Sequence, residues 1–172
     1  LADIAPTYII LGNHDGNLRN SYRQDAITPI VDALNHKNLH LLKDAGETHL
    51  DDKFCLNVLS VFDEDNWVKP TNPDKINIGL YHGAIKYSRT DIGFVMEHGE
   101  HSISIFDDCD YAMLGDIHKT QILNKEGTIA YAGSTIQQNF GETDDKGMFI
   151  WEIQSKTEFS REKINFVNPK PF

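Results

Sequence analysis

The chain has 172 residues, the length of a single domain that can bury a substantial core. It is 40% hydrophobic, 24% charged and 10% aromatic, which excludes a disordered protein, and its apolar runs are too short to span a membrane. The formal net charge of −10 argues against nucleic-acid binding, which depends on lysine and arginine, unless bound cations or a further basic segment offset it. Cys55 and Cys109 lie far apart without a CxxC motif, which favours a reducing compartment.

The first part of the chain predicts strands interrupted by one helix. The apolar run Thr7–Leu11 is typical of a strand buried on both faces. Apolar residues recur at helical spacing between Asp25 and Asn35, which predicts a helix with Thr28 as its cap and Pro29 in its first turn. Short strands are then expected at residues 39–42, 48–50 and 54–61, the last two forming a hairpin.

The second part of the chain predicts strands separated by loops. Residues 64–74, rich in Asp, Asn, Pro and Lys, are typical of a surface loop. The alternation of Ile76, Ile78 and Leu80 predicts a strand, and Tyr111–Leu114 predicts another. Further strands are expected at residues 120–123, 128–132, 147–153 and 158–167.

Side chains that can bind a metal follow three of the predicted strands. They are Asn13-His14-Asp15, His82, and Asp116 with His118. Because loops that leave the same edge of a layered sheet gather at one rim, these residues are expected to meet. Carboxylate, imidazole and amide groups together suit Mn²⁺, Mg²⁺ or Fe²⁺, whereas structural zinc prefers thiolates. Each motif alone would be an ordinary polar turn or strand-end histidine, so the combination indicates the metal site.

The same motifs resemble those of a known superfamily. Gly12–Asp15 is similar to the GNHD signature of calcineurin-like metallophosphoesterases, His82-Gly83 to their next element, and Gly115–His118 to their Gly-His-x-His element. Later stretches resemble the end of the SbcD-type nuclease domain of DNA double-strand-break repair, and these are Lys119–Gln121, Tyr131–Thr135 and Phe140–Glu142. The resemblance covers nearly the whole chain.

The resemblance implies a fold as well. It predicts a mixed α/β architecture of two packed sheets flanked by helices, with the strand ends forming the site. The motifs that open such domains, Asp-x-His and Gly-Asp-x-x-Asp, do not precede Gly12. Residues 1–172 are therefore expected to form a partial metallophosphoesterase (nuclease) domain that lacks its N-terminal strands.

The resemblance also implies roles for individual residues. Asn13, His82 and His118 would be metal ligands, Asn13 through its side-chain oxygen. His14 would stabilise charge or protonate the leaving oxygen as a phosphodiester breaks, and Asp15 would orient its ring.

Two further positions depart from the pattern or extend it. Asp116 stands where the superfamily has a histidine, and as a ligand it would shift the preference toward Mg²⁺ or Mn²⁺ and away from zinc. Lys119, directly after His118, is expected to reach a substrate phosphate.

The implied function is metal-dependent DNA exonuclease and endonuclease activity in recombination and repair. Such a site uses two divalent cations, with Mn²⁺ expected first and Mg²⁺ or Fe²⁺ as alternatives. Because its ligand set is incomplete, this chain alone is expected to hold at most one ion and to cleave DNA poorly. The expected partners are DNA, an SMC-like ATPase of the SbcC type and a second copy of the chain. No membrane is expected, and the location would be the cytoplasm or the nucleoid.

Two other functions remain open at this point. The GNHD signature is shared across the superfamily, so a phosphatase acting on a phosphoprotein or a nucleotide is one alternative. A non-catalytic binding scaffold of the same fold is the other. Asp116 and the acidic charge favour the scaffold, and the retained His14 and Asp15 count against it.

Overall fold

The computed structural model describes residues 1–20 and 22–168, so Ser21 and residues 169–172 of the predicted domain lie outside the described residues. These residues form ten strands and one α-helix, with about 32% of them in strands and 8% in helices. The helix is α1 (Thr28–Leu34). The strands are β1 (Thr7–Ile10), β2 (Leu39–Leu42), β3 (Gly46–His49), β4 (Phe54–Leu59), β5 (Ile76–His82), β6 (Tyr111–Gly115), β7 (Gln121–Ile122), β8 (Ile129–Tyr131), β9 (Gly147–Ile153) and β10 (Phe159–Asn165).

Three sheets organise these strands. The largest has six strands in the order β3-β4-β5-β6-β8-β7, in which β4, β5, β6 and β8 run parallel and the two edge strands are antiparallel to their neighbours. β1 and β2 form a parallel pair, and β9 and β10 form an antiparallel pair. The prediction of a two-sheet α/β sandwich flanked by helices is therefore wrong, because the described chain is a small β-rich domain with one helix.

The long connections between parallel strands explain why the described residues form no flanking helices on the six-stranded sheet. Such crossovers usually contain an α-helix, yet the connection from β4 to β5 and the one from β5 to β6 contain only the 3₁₀ turns Glu64–Asn66 and Ile103–Phe106. In the second connection, Tyr87 has φ 69° and Gly93 has φ 83°, both in the left-handed region that ends helices. No helix among the described residues is long and apolar enough to cross a bilayer.

The strand positions agree with the sequence prediction to within two residues at either end, whereas two details differ. β1 is only half-buried along its length, so the expected burial on both faces is wrong, and Leu11 is the buried residue beyond it. Thr28 does not cap α1. Asp25 does so instead, since its carboxylate accepts hydrogen bonds from the backbone N–H groups of Ile27 (2.9 Å) and Thr28 (2.6 Å).

Apolar residues cover both faces of the six-stranded sheet. On one face, Tyr81 and Tyr131 pack with residues from the loops, including Ile85 and Phe106. The opposite face carries Leu56, Ile76, Ile78 and Tyr111, which contact Tyr8 and Leu42 of the β1–β2 pair and Trp151 and Phe159 of the β9–β10 pair. The period-two alternation within each strand puts successive side chains on opposite faces and so supplies both cores.

Tyr131 fixes the segment that follows β5. Its side chain is fully buried, and its hydroxyl donates to the Gly83 carbonyl at 2.6 Å and accepts from the Ile85 N–H at 3.0 Å. Both backbone groups belong to the turn that starts directly after His82. The hydroxyl therefore links the core to the position of that histidine.

Replacing Tyr131 with phenylalanine should lower the free energy of unfolding by about 1–3 kcal/mol, because two buried backbone groups lose their partner. For a domain of this size, each kcal/mol lowers Tm by roughly 2–4 °C. Thermal denaturation followed by circular dichroism measures the change. The control is Tyr22→Phe, since Tyr22 is fully exposed. Equal Tm values for the two variants would show that the Tyr131 hydroxyl contributes nothing to stability.

Candidate functional site

Three strand ends meet at one edge of the molecule. His82 is the last residue of β5 and lies in register with Gly115, the last residue of β6. Gly12 and Asn13 follow β1, which contacts β5. The carboxyl ends of β5 and β6 lie side by side because the two strands are parallel, so the predicted residues are gathered at this edge.

The closest contacts join three of the predicted ligands. The Asn13 Nδ2 atom lies 3.3 Å from Asp116 Oδ1, and His82 Nε2 lies 3.8 Å from the same oxygen. His82 and Asp116 line a cavity of about 500 Å³, together with His14, Asp15 and His118. The structure thus brings Asn13, His82 and Asp116 together and places the remaining predicted site residues, apart from Lys119, around the same cavity.

Two glycines fix the ring of His82. A Cβ atom built on Gly12 would lie 2.7 Å from His82 Nε2, and one built on Gly115 would lie 2.7 Å from His82 Nδ1. Both distances are far shorter than a van der Waals contact, so neither position accepts a side chain without moving the ring. The glycines that precede Asn13 and Asp116 therefore hold the imidazole between two backbones.

The donor set fits a divalent cation. The side-chain oxygen of Asn13 is buried and has no hydrogen-bond partner among the described residues, and a buried acceptor of this kind is costly unless something satisfies it. Burial lowers the pKa of His82 below its usual range, although the carboxylates of Asp116 and Asp15 oppose the shift. The resulting neutral imidazole is the form that ligates metals. Oxygen, carboxylate and imidazole donors at one place are typical of Mn²⁺ and Mg²⁺ sites.

The ligand set is not closed around one point. Among residues 1–20 and 22–168, no three side chains of His, Cys, Asp or Glu form a group that could hold a metal ion. His118 lines the cavity, but its Nδ1 atom lies 2.8 Å from Glu142 Oε1, which leaves Nε2 as the ring nitrogen available to a ligand. The structure thus brings Asn13, His82 and Asp116 together, with His118 at the same cavity, but not as a closed group of ligands.

His14 and Asp15 both line the cavity but differ in exposure. His14 is exposed, whereas Asp15 is half-buried and accepts a hydrogen bond from the Gly12 N–H at 2.7 Å. No hydrogen bond joins Asp15 to the His14 ring in the described part of the chain. Asp15 therefore closes the turn that carries His14.

Lys119 differs from the other predicted residues. It is half-buried and does not line the cavity that contains His14 and His118. Its side chain makes no ion pair with any described residue. Lys119 therefore directly follows the cavity residue His118 in the chain but lies outside the lining itself.

A buried ion network behind His118 was missed by the sequence prediction. Lys146 is 2% exposed and pairs with Glu142 at 2.8 Å and with Asp91 at 2.6 Å. Burial alone would raise the pKa of Glu142, but hydrogen bonds from His118 and Lys146 lower it to about 2, so the carboxylate stays ionised. Asp91 and Lys146 are 55 positions apart and belong to no motif, so no pattern in the sequence pointed to their pairing.

Asp116 has an unusual backbone. Its φ of 91° lies in the left-handed region, which costs a residue with a Cβ atom roughly 1–3 kcal/mol. Backbone strain of this kind persists where the surrounding structure holds a residue in place, and it concentrates at functional sites. The strain is thus independent support for a functional position.

Comparison with known proteins gives one sequence relative and no family assignment. No protein-family model matches the sequence. The chain is 37% identical over 169 residues to an uncharacterized protein of Acanthamoeba polyphaga mimivirus. The match covers 91% of this chain and 12% of the viral protein, so the chain spans a small part of that relative's length. Because the viral protein is named only as uncharacterized, the match gives no activity, substrate or partner for this chain.

The strain at Asp116 can be measured with a pair of substitutions. Asp116→Gly and Asp116→Ala both remove the carboxylate, but only glycine adopts a positive φ freely, so the glycine variant should be the more stable by about 1 kcal/mol. At an unstrained position the order is the reverse, by roughly 0.4–1 kcal/mol. Urea denaturation compares the two variants, with Asp65→Gly and Asp65→Ala as the matched pair at an exposed residue without a positive φ. A more stable alanine variant at position 116 would contradict the strain.

Proposed function

We propose that this chain supplies part of a divalent-metal-dependent phosphodiesterase centre that cleaves DNA, like that of the SbcD-type nucleases it resembles. The observation that carries the proposal is the buried, unpartnered oxygen of Asn13 beside Asp116 and His82. A cation held by these three side chains would satisfy the oxygen, and the cavity that His82 and Asp116 line also presents two further histidines, His14 and His118. The preferred cation is Mn²⁺, with Mg²⁺ or Fe²⁺ as alternatives, because the donors are mainly oxygen with one imidazole.

The chain's own residues divide the chemistry between them. Asn13, His82 and Asp116 hold the cation, which supplies Lewis-acid chemistry at the phosphodiester. His14 is exposed and lines the cavity, so its ring can donate a proton or a hydrogen bond to the leaving oxygen. Asp15 holds the turn on which His14 stands.

The acidic net charge of the chain is compatible with binding a phosphodiester once the charge of the cation is included. With a net charge of −10, the chain repels phosphates, and a divalent ion between the site carboxylate and the substrate reverses that repulsion locally. Lys119 beside the cavity is the proposed contact to the phosphate backbone. The same proposal includes a second cation, an SMC-like ATPase, a second copy of the chain and a cytoplasmic or nucleoid location. These expectations concern the whole protein.

A non-catalytic binding scaffold is the second candidate. The observation in its favour is that no closed group of three acidic, histidine or cysteine ligands occurs in the part of the chain described. The buried and unpartnered Asn13 oxygen counts against it, because a scaffold has no need for an unsatisfied acceptor at this position.

The nuclease proposal predicts that His14→Ala removes activity and spares metal binding. Cleavage of linear double-stranded DNA is measured with Mn²⁺ for the protein at its full natural length. Loss of the proton donor should lower kcat by roughly 10²–10⁴-fold, while the Mn²⁺ affinity stays unchanged. His98→Ala is the matched control, since His98 is exposed and does not line the cavity. Full activity in His14→Ala would refute the assigned role, and no cleavage by a metal-loaded wild type would favour the scaffold.

Asn13→Ala tests the metal centre itself. Without the amide oxygen, the Mn²⁺ dissociation constant should rise by at least about tenfold, as measured by calorimetric titration, since loss of even a supporting contact typically costs 10–100-fold in affinity. Asn17→Ala serves as the control, because Asn17 is exposed and its side-chain oxygen accepts a hydrogen bond from the Arg19 N–H. Equal dissociation constants for the two variants would remove Asn13 from the ligand set.

A further inference from the structure

We propose that Glu142 is a positioning residue that holds the ring of His118 with Nδ1 protonated and Nε2 free toward the cavity. The inference rests on the proposed function for its catalytic meaning, but the geometry and the test do not require activity. A neutral imidazole carries one proton, and the partner of one nitrogen decides which nitrogen can bind a ligand.

The hydrogen bond between Glu142 and His118 is short, and only the histidine can be its donor. Glu142 Oε1 lies 2.8 Å from His118 Nδ1, and a carboxylate can only accept, so the ring nitrogen must donate. No other hydrogen-bond partner of the His118 ring occurs among the described residues. The ring is 42% exposed, so without this contact little would keep it from adopting other rotamers.

Donors from three other groups fix the orientation of the carboxylate. Asn139 Nδ2 donates to Oε1 at 3.0 Å, the Gln138 N–H donates to Oε2 at 3.0 Å, and Lys146 lies 2.8 Å from Oε2. The Glu142 side chain is 6% exposed. A buried carboxylate whose two oxygens are both hydrogen-bonded is held in one orientation. This orientation determines the direction of its hydrogen bond with His118.

Lys146 extends the support to the backbone of His118. Its ammonium group also pairs with Asp91 at 2.6 Å and donates to the His118 carbonyl at 3.2 Å. The Ser134 N–H donates to the same carbonyl at 3.2 Å. The ring and the main chain of His118 are therefore held by one connected set of groups, and this set lies behind the cavity rather than in it.

The variant Glu142→Gln gives a directional test because it keeps the shape and changes the donors. Lys146 and the Gln138 N–H can only donate, so they should retain the amide oxygen on the Oε2 side, which turns the amide NH₂ group toward His118 and Asn139. The Asn139 amide, which donates to Oε1 in the wild type, must then turn so that its oxygen accepts from this NH₂ group. The Nδ1 atom must then accept, and the proton moves to Nε2. The substitution should therefore invert the tautomer of His118.

Nitrogen-15 NMR of the histidine rings in the metal-free chain, above the pH at which the ring is protonated, measures the tautomer directly. We expect an Nδ1–H ring in the wild type and an Nε2–H ring in Glu142→Gln, with a Mn²⁺ dissociation constant roughly 10–100-fold higher in the variant. Asp91→Asn is the matched control, since it weakens the same buried network without touching His118, and it should keep the Nδ1–H ring. If Glu142→Gln does not fold, Glu142→Ala should still lose the excess of Nδ1–H.

The two proposals fail in different ways. An unchanged Nδ1–H ring in Glu142→Gln or Glu142→Ala overturns the positioning role, whatever the metal does. An inverted ring in a protein that binds no Mn²⁺ supports the positioning role and overturns the proposed metal centre. An inverted ring in Asp91→Asn as well would attribute the effect to the network in general and overturn the specific role of Glu142.

Discussion

The close approach of two backbones around one imidazole determines the arrangement of this protein's candidate site. Gly12 and Gly115 flank the ring of His82 so tightly that neither accepts a Cβ atom. This packing joins the end of β1 to the ends of β5 and β6. β1 belongs to the two-stranded β1–β2 sheet, whereas β5 and β6 are neighbours in the six-stranded sheet. Asn13 and Asp116 follow the two glycines directly, so the same contact sets the distance between them. The parallel sheet supplies the edge, and the glycines supply the short distances.

The site combines groups that are costly to bury with support that holds them in place. Among the described residues the Asn13 oxygen has no hydrogen-bond partner, Asp116 has a strained backbone, and burial lowers the pKa of His82. Each feature is unfavourable in a site without function, and a divalent cation relieves the first of them. Behind the cavity, the pairing of Lys146 with two carboxylates gives His118 a rigid support. The unfavourable groups and their support thus lie within one small region of a β-rich fold.

The strands and the strand-end residues were predictable from the sequence for a physical reason. Alternating apolar residues, as in Ile76–Leu80, predict a strand of a sheet, and polar residues that follow parallel strands lie at the same edge of that sheet. The flanking helices were expected from resemblance alone, and the loop residues after β5, with left-handed backbone at Tyr87, do not form them. The link between Asp91 and Lys146 depends on how two distant loops fold together, and no periodicity or spacing encodes such a contact.

The most direct test of the account is to map where Mn²⁺ binds, by the paramagnetic broadening of backbone amide signals during a titration. The account predicts that the first signals to broaden belong to the residues around Asn13, His82 and Asp116, with His118 close behind. Broadening that starts instead at the acidic turns around Asp51 or Asp108 would show ordinary surface binding of the cation. That result would contradict a metal centre at the strand ends.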